Sequence, residues 1–256
     1  MSRKRSVPTD TAATSKKFRS AIDDTVDEFL CPITQELPID PVMAADGHVY
    51  ERKAIEKWLQ HNNSSPSTNL EMESKTLLPA VQVKSAIEKM VKSGAISGDK
   101  AEKWLKKIRD EERKKELLQR ASTGDSEAME HLGYGYSLGF DGFVEDVKQG
   151  AQWYERAAQH GSTSGLYLIG DTDLEHLNYN SADGVAFLVE AAERGHGAAC
   201  LELASRYERG DSGLRKNMAL AKRWMTRALK CEGSGWQEQA KKWLQKNSAV
   251  ETTWHC

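Results

Sequence analysis

Apolar side chains recur along the chain with different periods, and the changes of period mark its elements. Pro41 to Ala45 and His48 to Tyr50 read as short extended runs on either side of Asp46-Gly47. That dipeptide tolerates the positive φ angles of a two-residue hairpin turn, so a hairpin is expected. Ile55, Trp58 and Leu59 then fall at i, i+3 and i+4, which predicts a helix over 51–60 with one apolar face. A polar loop at 62–69 leads to a second helix carrying Val83, Ile87, Met90 and Val91 at i, i+4, i+7 and i+8. Residues 27–94 therefore read as one small α+β domain. Residues 95–121 are charge-dense and free of proline, with opposite charges four apart at Glu102/Lys106 and Glu111/Lys115. They predict a helical connector, on which Trp104, Leu105 and Ile108, and further on Leu117 and Leu118, offer surfaces for docking.

From residue 122 the pattern repeats. Gly124, Ala128, Leu132-Gly133, Tyr136 and Gly139 return as Gly161, Gly165 and Ile169-Gly170, and again as Gly195, Ala199, Leu203-Ala204, Tyr207 and Gly210. Trp153-Tyr154 with Ala157-Ala158 returns as Phe187-Leu188 with Ala191-Ala192 and as Trp224-Met225 with Ala228-Leu229. Spacings of 37 and 34 residues indicate an all-α helix-pair solenoid over 122–235. Gly133 inside a helix costs about 1 kcal/mol relative to Ala, so it predicts a close helix crossing. Gly161 and Gly195 fall where a left-handed cap favours Gly. The middle copy departs from the pattern, with Asp173 and His176 in place of the aromatic and the Gly. Trp236, Ala240, Trp243 and Leu244 predict a capping helix within 236–256, and the stripe Trp153, Phe187, Trp224 reads as core.

Composition narrows the function classes. A hydrophobic fraction of 39%, a charged fraction of 29% and a formal net charge of -2 give no global attraction to nucleic acid or anionic lipid. No apolar run approaches the roughly 20 residues of a membrane helix, and the first thirty residues lack the apolar core of a secretory signal. An intracellular protein, cytoplasmic or nuclear, is expected. Cys31, Cys200, Cys231 and Cys256 form no CxxC pair and no disulfide framework. Residues 1–26 are polar and basic, too poor in apolar side chains to offset the entropy of ordering, and read as a disordered tail. Within it, Lys4-Arg5 and Lys16-Lys17-Phe18-Arg19 read equally as a bipartite nuclear-import signal or a solvated basic tail. Nucleic-acid binding there is disfavoured, since Phe18 is the single aromatic among the charges.

The ordered run Phe29-Leu30-Cys31-Pro32-Ile33, Asp40-Pro41-Val42, Asp46-Gly47-His48-Val49-Tyr50-Glu51-Arg52, Ile55-Glu56-Lys57-Trp58-Leu59, Ser65-Pro66-Ser67-Thr68-Asn69 and Leu78-Pro79 resembles the U-box family. The resemblance implies a RING-like α+β fold without zinc. Two RING-type zinc sites need eight Cys or His ligands, and 28–93 holds Cys31, His48 and His61. It therefore implies neither metal nor cofactor, with loops held by hydrogen bonds and ion pairs from residues such as Asp40, Glu51 and Asn69. Turn and core duties account for Asp46, Gly47, Tyr50 and Arg52, and the resemblance implies a structural set that adds Cys31, Pro32, Asp40, Pro41, Leu78 and Pro79. Ile33 and Pro66 are poorly explained by local structure. In the family the first and second loops grip a ubiquitin-conjugating enzyme, which implies a binding set of Ile33, Gln35, Trp58, Pro66 and Asn69.

The repeats resemble the Sel-one-like branch of the tetratricopeptide solenoids. Together the two resemblances imply a ubiquitin-protein ligase: the U-box would bind the ubiquitin-charged conjugating enzyme, the repeats a protein substrate, and no covalent intermediate would form on this chain. A homodimer is left open. Many active U-boxes carry Arg or Lys where this chain has Asn69, and Gln35 stands at a position that is apolar in some relatives. Those departures sustain a second reading, a non-catalytic adaptor with a degenerate U-box.

Overall fold

A computed structural model describes residues 25–171 and 181–248. The chain divides into two compact units, Met1–Asp110 and Glu111–Cys256. In the first, strands β1 (Pro41–Met43), β2 (Val49–Glu51) and β3 (Leu78–Pro79) form an antiparallel sheet in the order β2-β1-β3. Helix α1 (Arg52–His61) follows β2 directly and α2 (Val81–Lys92) follows β3. Helix α3 (Asp99–Ser122) begins in this unit and continues into the second.

The hairpin differs from the expected two-residue turn. Met43 pairs with Val49, the Gly47 N–H donates to the Ala44 carbonyl at 3.0 Å, and Gly47 has φ 77° while Asp46 has no positive φ. The Ala44 N–H also donates to the His48 carbonyl at 3.1 Å, so Ala45, Asp46 and Gly47 form a three-residue loop with a left-handed Gly at its end. Its form follows from Asp46, whose carboxylate turns inward rather than to solvent. Strand β3 was not legible as a strand, because at two residues it has no period, and Pro79 is tolerated there because β3 lies at the sheet edge. Leu78 pairs with Met43 through the backbone while its side chain is 60% exposed, so its structural part is in the ladder and not in the core.

Two apolar clusters fill the first unit. Cys31, Val42, Ala44, Tyr50, Ile55 and Leu59 are buried between the sheet and α1. Val26, Leu37, Ile87, Ile96, Ala101 and Trp104 form the second. The second cluster reaches past both ends of 27–94. Val26, assigned by composition to the tail, lies in a helical turn at 25–28 and is buried. Ile96, Ala101 and Trp104, assigned to the connector, are core of the first unit. Trp104 is 5% exposed and its indole N–H donates to the Pro38 carbonyl at 3.1 Å, while Leu105 faces solvent. Ion pairs from Lys100 to Asp27 and from Lys107 to Glu36 flank this contact. Burying an aromatic of this size is worth about 3 kcal/mol, which outweighs the solubility of the surrounding charges.

The second unit contains α4 (Ser126–Leu138), α5 (Val147–Gln159), α6 (Thr163–Asp171), α7 (Ser181–Glu193), α8 (Gly197–Arg209), α9 (Met218–Ala228) and α10 (Ser234–Ser248). The repeat in sequence is a repeat in capping. Asp125, Asp146 and Asn217 side chains accept the N–H three residues on, at 3.1, 2.9 and 3.0 Å, and Ser162 and His196 do the same for Gly165 and Ala199. Burial lowers the His196 pKa from its ordinary value, which keeps the neutral acceptor that the cap needs. Gly161 and Gly195 have φ 91° and 92°, the left-handed turn expected after the second helix of a pair. A Cβ at Gly133 would lie 2.4 Å from the Tyr154 ring and 3.0 Å from the Gly150 carbonyl, so α4 and α5 do cross closely there.

Leu188, Ala191, Ala199, Leu203, Ala221 and Ala228 form the main core of this unit, and α10 adds Ala240, Trp243 and Leu244 to it. Trp153, Phe187 and Trp224 are half-buried at the edges of the cores. Trp236 departs from the expected capping stripe: it is 37% exposed and lies over Gly197. Cys200 and Cys231 are buried with their sulfurs 3.9 Å apart, and burial together with the neighbouring thiol pushes Cys200 up to about 12. Asp173, His176, Cys256 and the basic clusters of the tail lie outside the described residues. Among the described residues no helix is long and apolar enough to cross a membrane.

Candidate functional site

The first unit contains the same loop twice. In Cys31–Glu36 the Cys31 N–H donates to the Glu36 carbonyl at 3.0 Å and the Gln35 N–H to the Cys31 carbonyl at 2.8 Å. In Ser65–Leu70 the Ser65 N–H donates to the Leu70 carbonyl at 2.8 Å and the Asn69 N–H to the Ser65 carbonyl at 2.9 Å. Gln35 and Asn69 have φ 57° and 58°. The left-handed region costs an ordinary residue about 1 kcal/mol, and an amide side chain reduces that cost by local hydrogen bonding. Gln35 does so, its Nε2 donating to the Pro32 carbonyl at 2.8 Å. Sequence reading missed this correspondence although the signal was present: Cys31-Pro32-Ile33-Thr34-Gln35 and Ser65-Pro66-Ser67-Thr68-Asn69 share Pro, Thr and an amide in register.

Asp46 anchors the second loop. Its carboxylate, with the side chain 7% exposed, accepts from the Ser65 hydroxyl at 2.6 Å, the Tyr50 hydroxyl at 2.7 Å and the His48 N–H at 3.0 Å. The buried Ser65 hydroxyl in turn accepts the N–H groups of Ser67 and Thr68 at 3.1 and 3.0 Å, and the Tyr50 hydroxyl lies 2.8 Å from that of Ser67. Burial alone would raise the Asp46 pKa, but the bonds from Ser65, His48 and Tyr50 together hold it below 3.8. The chain leading from the first loop is held separately. Glu51 accepts from the Ile39 N–H at 2.7 Å, and Asp40 pairs with Arg52 at 2.6 Å. Among the described residues no three His, Cys, Asp or Glu side chains converge on a metal position.

Of the five residues expected to bind a partner, Ile33 and Trp58 pack half-buried against the same core cluster. The Trp58 indole N–H donates to the Ser64 carbonyl at 2.8 Å, immediately before the Ser65 anchor, so α1 and the second loop are tied together next to Pro66. Pro66 is half-buried, and Gln35 and Asn69 are exposed. Leu70, at the end of the second loop, is 70% exposed and was not foreseen. Of the structural set, Cys31, Pro41 and Tyr50 are buried, Pro32 is half-buried, Gly47 closes the hairpin and Pro79 lies exposed on β3. Cys31, enclosed in the core, has no access to a substrate carbonyl.

The geometry agrees with comparison to known proteins. A family model described as the U-box domain matches residues 26–95, and one described as the Sel1 repeat matches residues 126–162 and 197–232. Over 68 residues the chain is 52% identical to WD repeat, SAM and U-box domain-containing protein 1 of Gallus gallus, covering 26% of this chain and 14% of that protein. Over 64 residues it is 50% identical to putative U-box domain-containing protein 58 of Arabidopsis thaliana, covering 25% of this chain and 15% of that one. A Sel1 repeat protein from Oxalobacter formigenes aligns over 44% of this chain and 87% of its own at 29% identity and a TM-score of 0.40. Residues 26–95 thus match the U-box domain, and Sel1 repeats match within 126–232.

Proposed function

We propose that this chain is a ubiquitin-protein ligase. The U-box docks a ubiquitin-charged conjugating enzyme on Ile33, Trp58 and Pro66, with Gln35 and Asn69 at the rim, while the repeats hold a protein substrate. The observation that carries this reading is the Asp46–Ser65–Tyr50 anchor, which fixes the second loop and ties it through Trp58 to the cluster that supports Ile33. Half-buried apolar side chains on a rigid support are the usual centre of a protein interface. Chemistry would occur on the conjugating enzyme's thioester. This chain contributes orientation of the tethered ubiquitin and a raised local concentration of the target lysine.

The test is autoubiquitination with a panel of conjugating enzymes, with Ile33→Ala alongside wild type. Chains from wild type and about tenfold fewer from Ile33→Ala are expected, as loss of a central apolar contact costs roughly 1–2 kcal/mol. An absence of chains with every enzyme would favour the adaptor reading, for which Asn69, in place of a cation, is the supporting observation. The clusters at 4–19 further suggest nuclear import, and a fluorescent reporter fused to residues 1–26 that stays in the cytoplasm would count against it.

A further inference from the structure

The third helix pair carries a charge asymmetry that the chain as a whole does not. Residues 212–231 hold six Lys or Arg and no Asp or Glu, in a protein of net charge -2. The structure gathers four of them along one side of α9 and the turn that follows it, Lys230 lying two residues past Ala228. Lys222, Arg223, Arg227 and Lys230, with the Thr226 hydroxyl, line a half-open cavity of about 590 Å³ that ends at Gly195 in the preceding turn. Their spacing of i, i+1, i+5 and i+8 follows one helix face, so the charges are not randomly scattered. Lys222, Arg223 and Lys230 are exposed. Arg227 is partly committed, donating to the Ala192 and Glu193 carbonyls at 3.1 and 2.8 Å, and so caps the negative end of α7 that would otherwise repel an anion.

We propose that this cavity docks an acidic peptide segment of a partner protein. From Ala219 to the helix end at Ala228 the lining extends over about 14 Å of helix, with Lys230 in the turn beyond, the span of roughly four to five residues of extended chain. Charges spread over that length suit successive carboxylates better than one compact anion. Arg223 offers a planar fork that a carboxylate can engage with both oxygens. Single-stranded nucleic acid fits less well, because stacking needs an exposed ring and Trp224, the aromatic of this helix, is half-buried in the core. This site is independent of the ligase reading, since it needs neither the U-box nor a conjugating enzyme.

The experiment is fluorescence anisotropy of the full chain with a labelled oligoglutamate peptide and its oligoglutamine counterpart. The oligoglutamate binds and the oligoglutamine does not, and affinity falls with added salt. Arg223→Glu with Lys230→Glu weakens binding by about tenfold or more. The same change of charge at Lys241 and Lys246, exposed on α10, leaves it unaltered. A thermal melt confirms that both double variants are folded, and single Arg223→Gln, which removes one charge, shows a smaller loss. No binding by wild type, equal loss in the α10 variant, insensitivity to salt, or displacement of the peptide by a single-stranded oligonucleotide of equal charge at equal or lower concentration would each overturn the proposal.

Discussion

The buried Ser65 hydroxyl donates one bond and accepts two. Removing it strands two backbone N–H groups and takes a donor from Asp46, at roughly 1–3 kcal/mol for the orphaned groups. Ser65→Ala should therefore lower the melting temperature of the U-box unit, measurable by circular dichroism. The folded Asp46 pKa lies below 3.8, so its contribution to stability is present in full above 3.8 and is lost as pH falls through the lower folded value. Acid unfolding of wild type is expected in that window, with a shallower dependence in Asp46→Asn. Asn69→Arg should speed discharge of ubiquitin from a charged conjugating enzyme, despite about 1 kcal/mol of left-handed strain at φ 58°, and an unchanged rate would remove position 69 from the mechanism. Asp46 and Tyr50 were legible as turn and core residues. Their bonds to Ser65 were not, because Ser65 lies nineteen residues from Asp46 and only the folded chain brings them together.

Gly133 and Tyr154 show where an element's own preference loses to its neighbour. Gly133→Ala should gain about 1 kcal/mol of helix propensity. It places a methyl 2.4 Å from a buried ring with the Gly150 carbonyl beside it, an overpacking cost of about 1–3 kcal/mol, so net destabilisation of the repeat unit is expected in urea unfolding. Helices with several turns of apolar period, α1, α2 and the repeat pairs, were readable because burial of one face dictates the period. The elements that were misread are those dictated from outside. The hairpin took a third loop residue to aim Asp46 inward, β3 exists through its pairing with β1, and Trp236 is drawn from the capping stripe onto the surface left open by Gly197.

At the scale of the whole chain, the division at Asp110 shows that α3 belongs to two units in turn, the first half through Trp104 and the second through Leu117 and Ala121. A charge-dense stretch read as connector because exposed residues dominate its composition, while the buried Ile96, Ala101, Trp104, Leu117 and Ala121 decide its fold. Trp104→Ala should cost the first unit about 3–5 kcal/mol and abolish the proposed ligase activity by unfolding the U-box, although position 104 lies outside residues 26–95. A limited proteolysis time course would show the loss as new cleavage within 26–110.

Two loops held by hydrogen bonds, presenting Ile33 to a conjugating enzyme, are the basis of the proposed activity. Its most direct test is single-turnover discharge of ubiquitin from a pre-charged conjugating enzyme to free lysine, with excess chelator present. Wild type should accelerate discharge in the chelator, and Ile33→Ala, with an unchanged melting temperature, should not. Acceleration abolished by the chelator, or Ile33→Ala acting as fast as wild type, would contradict it.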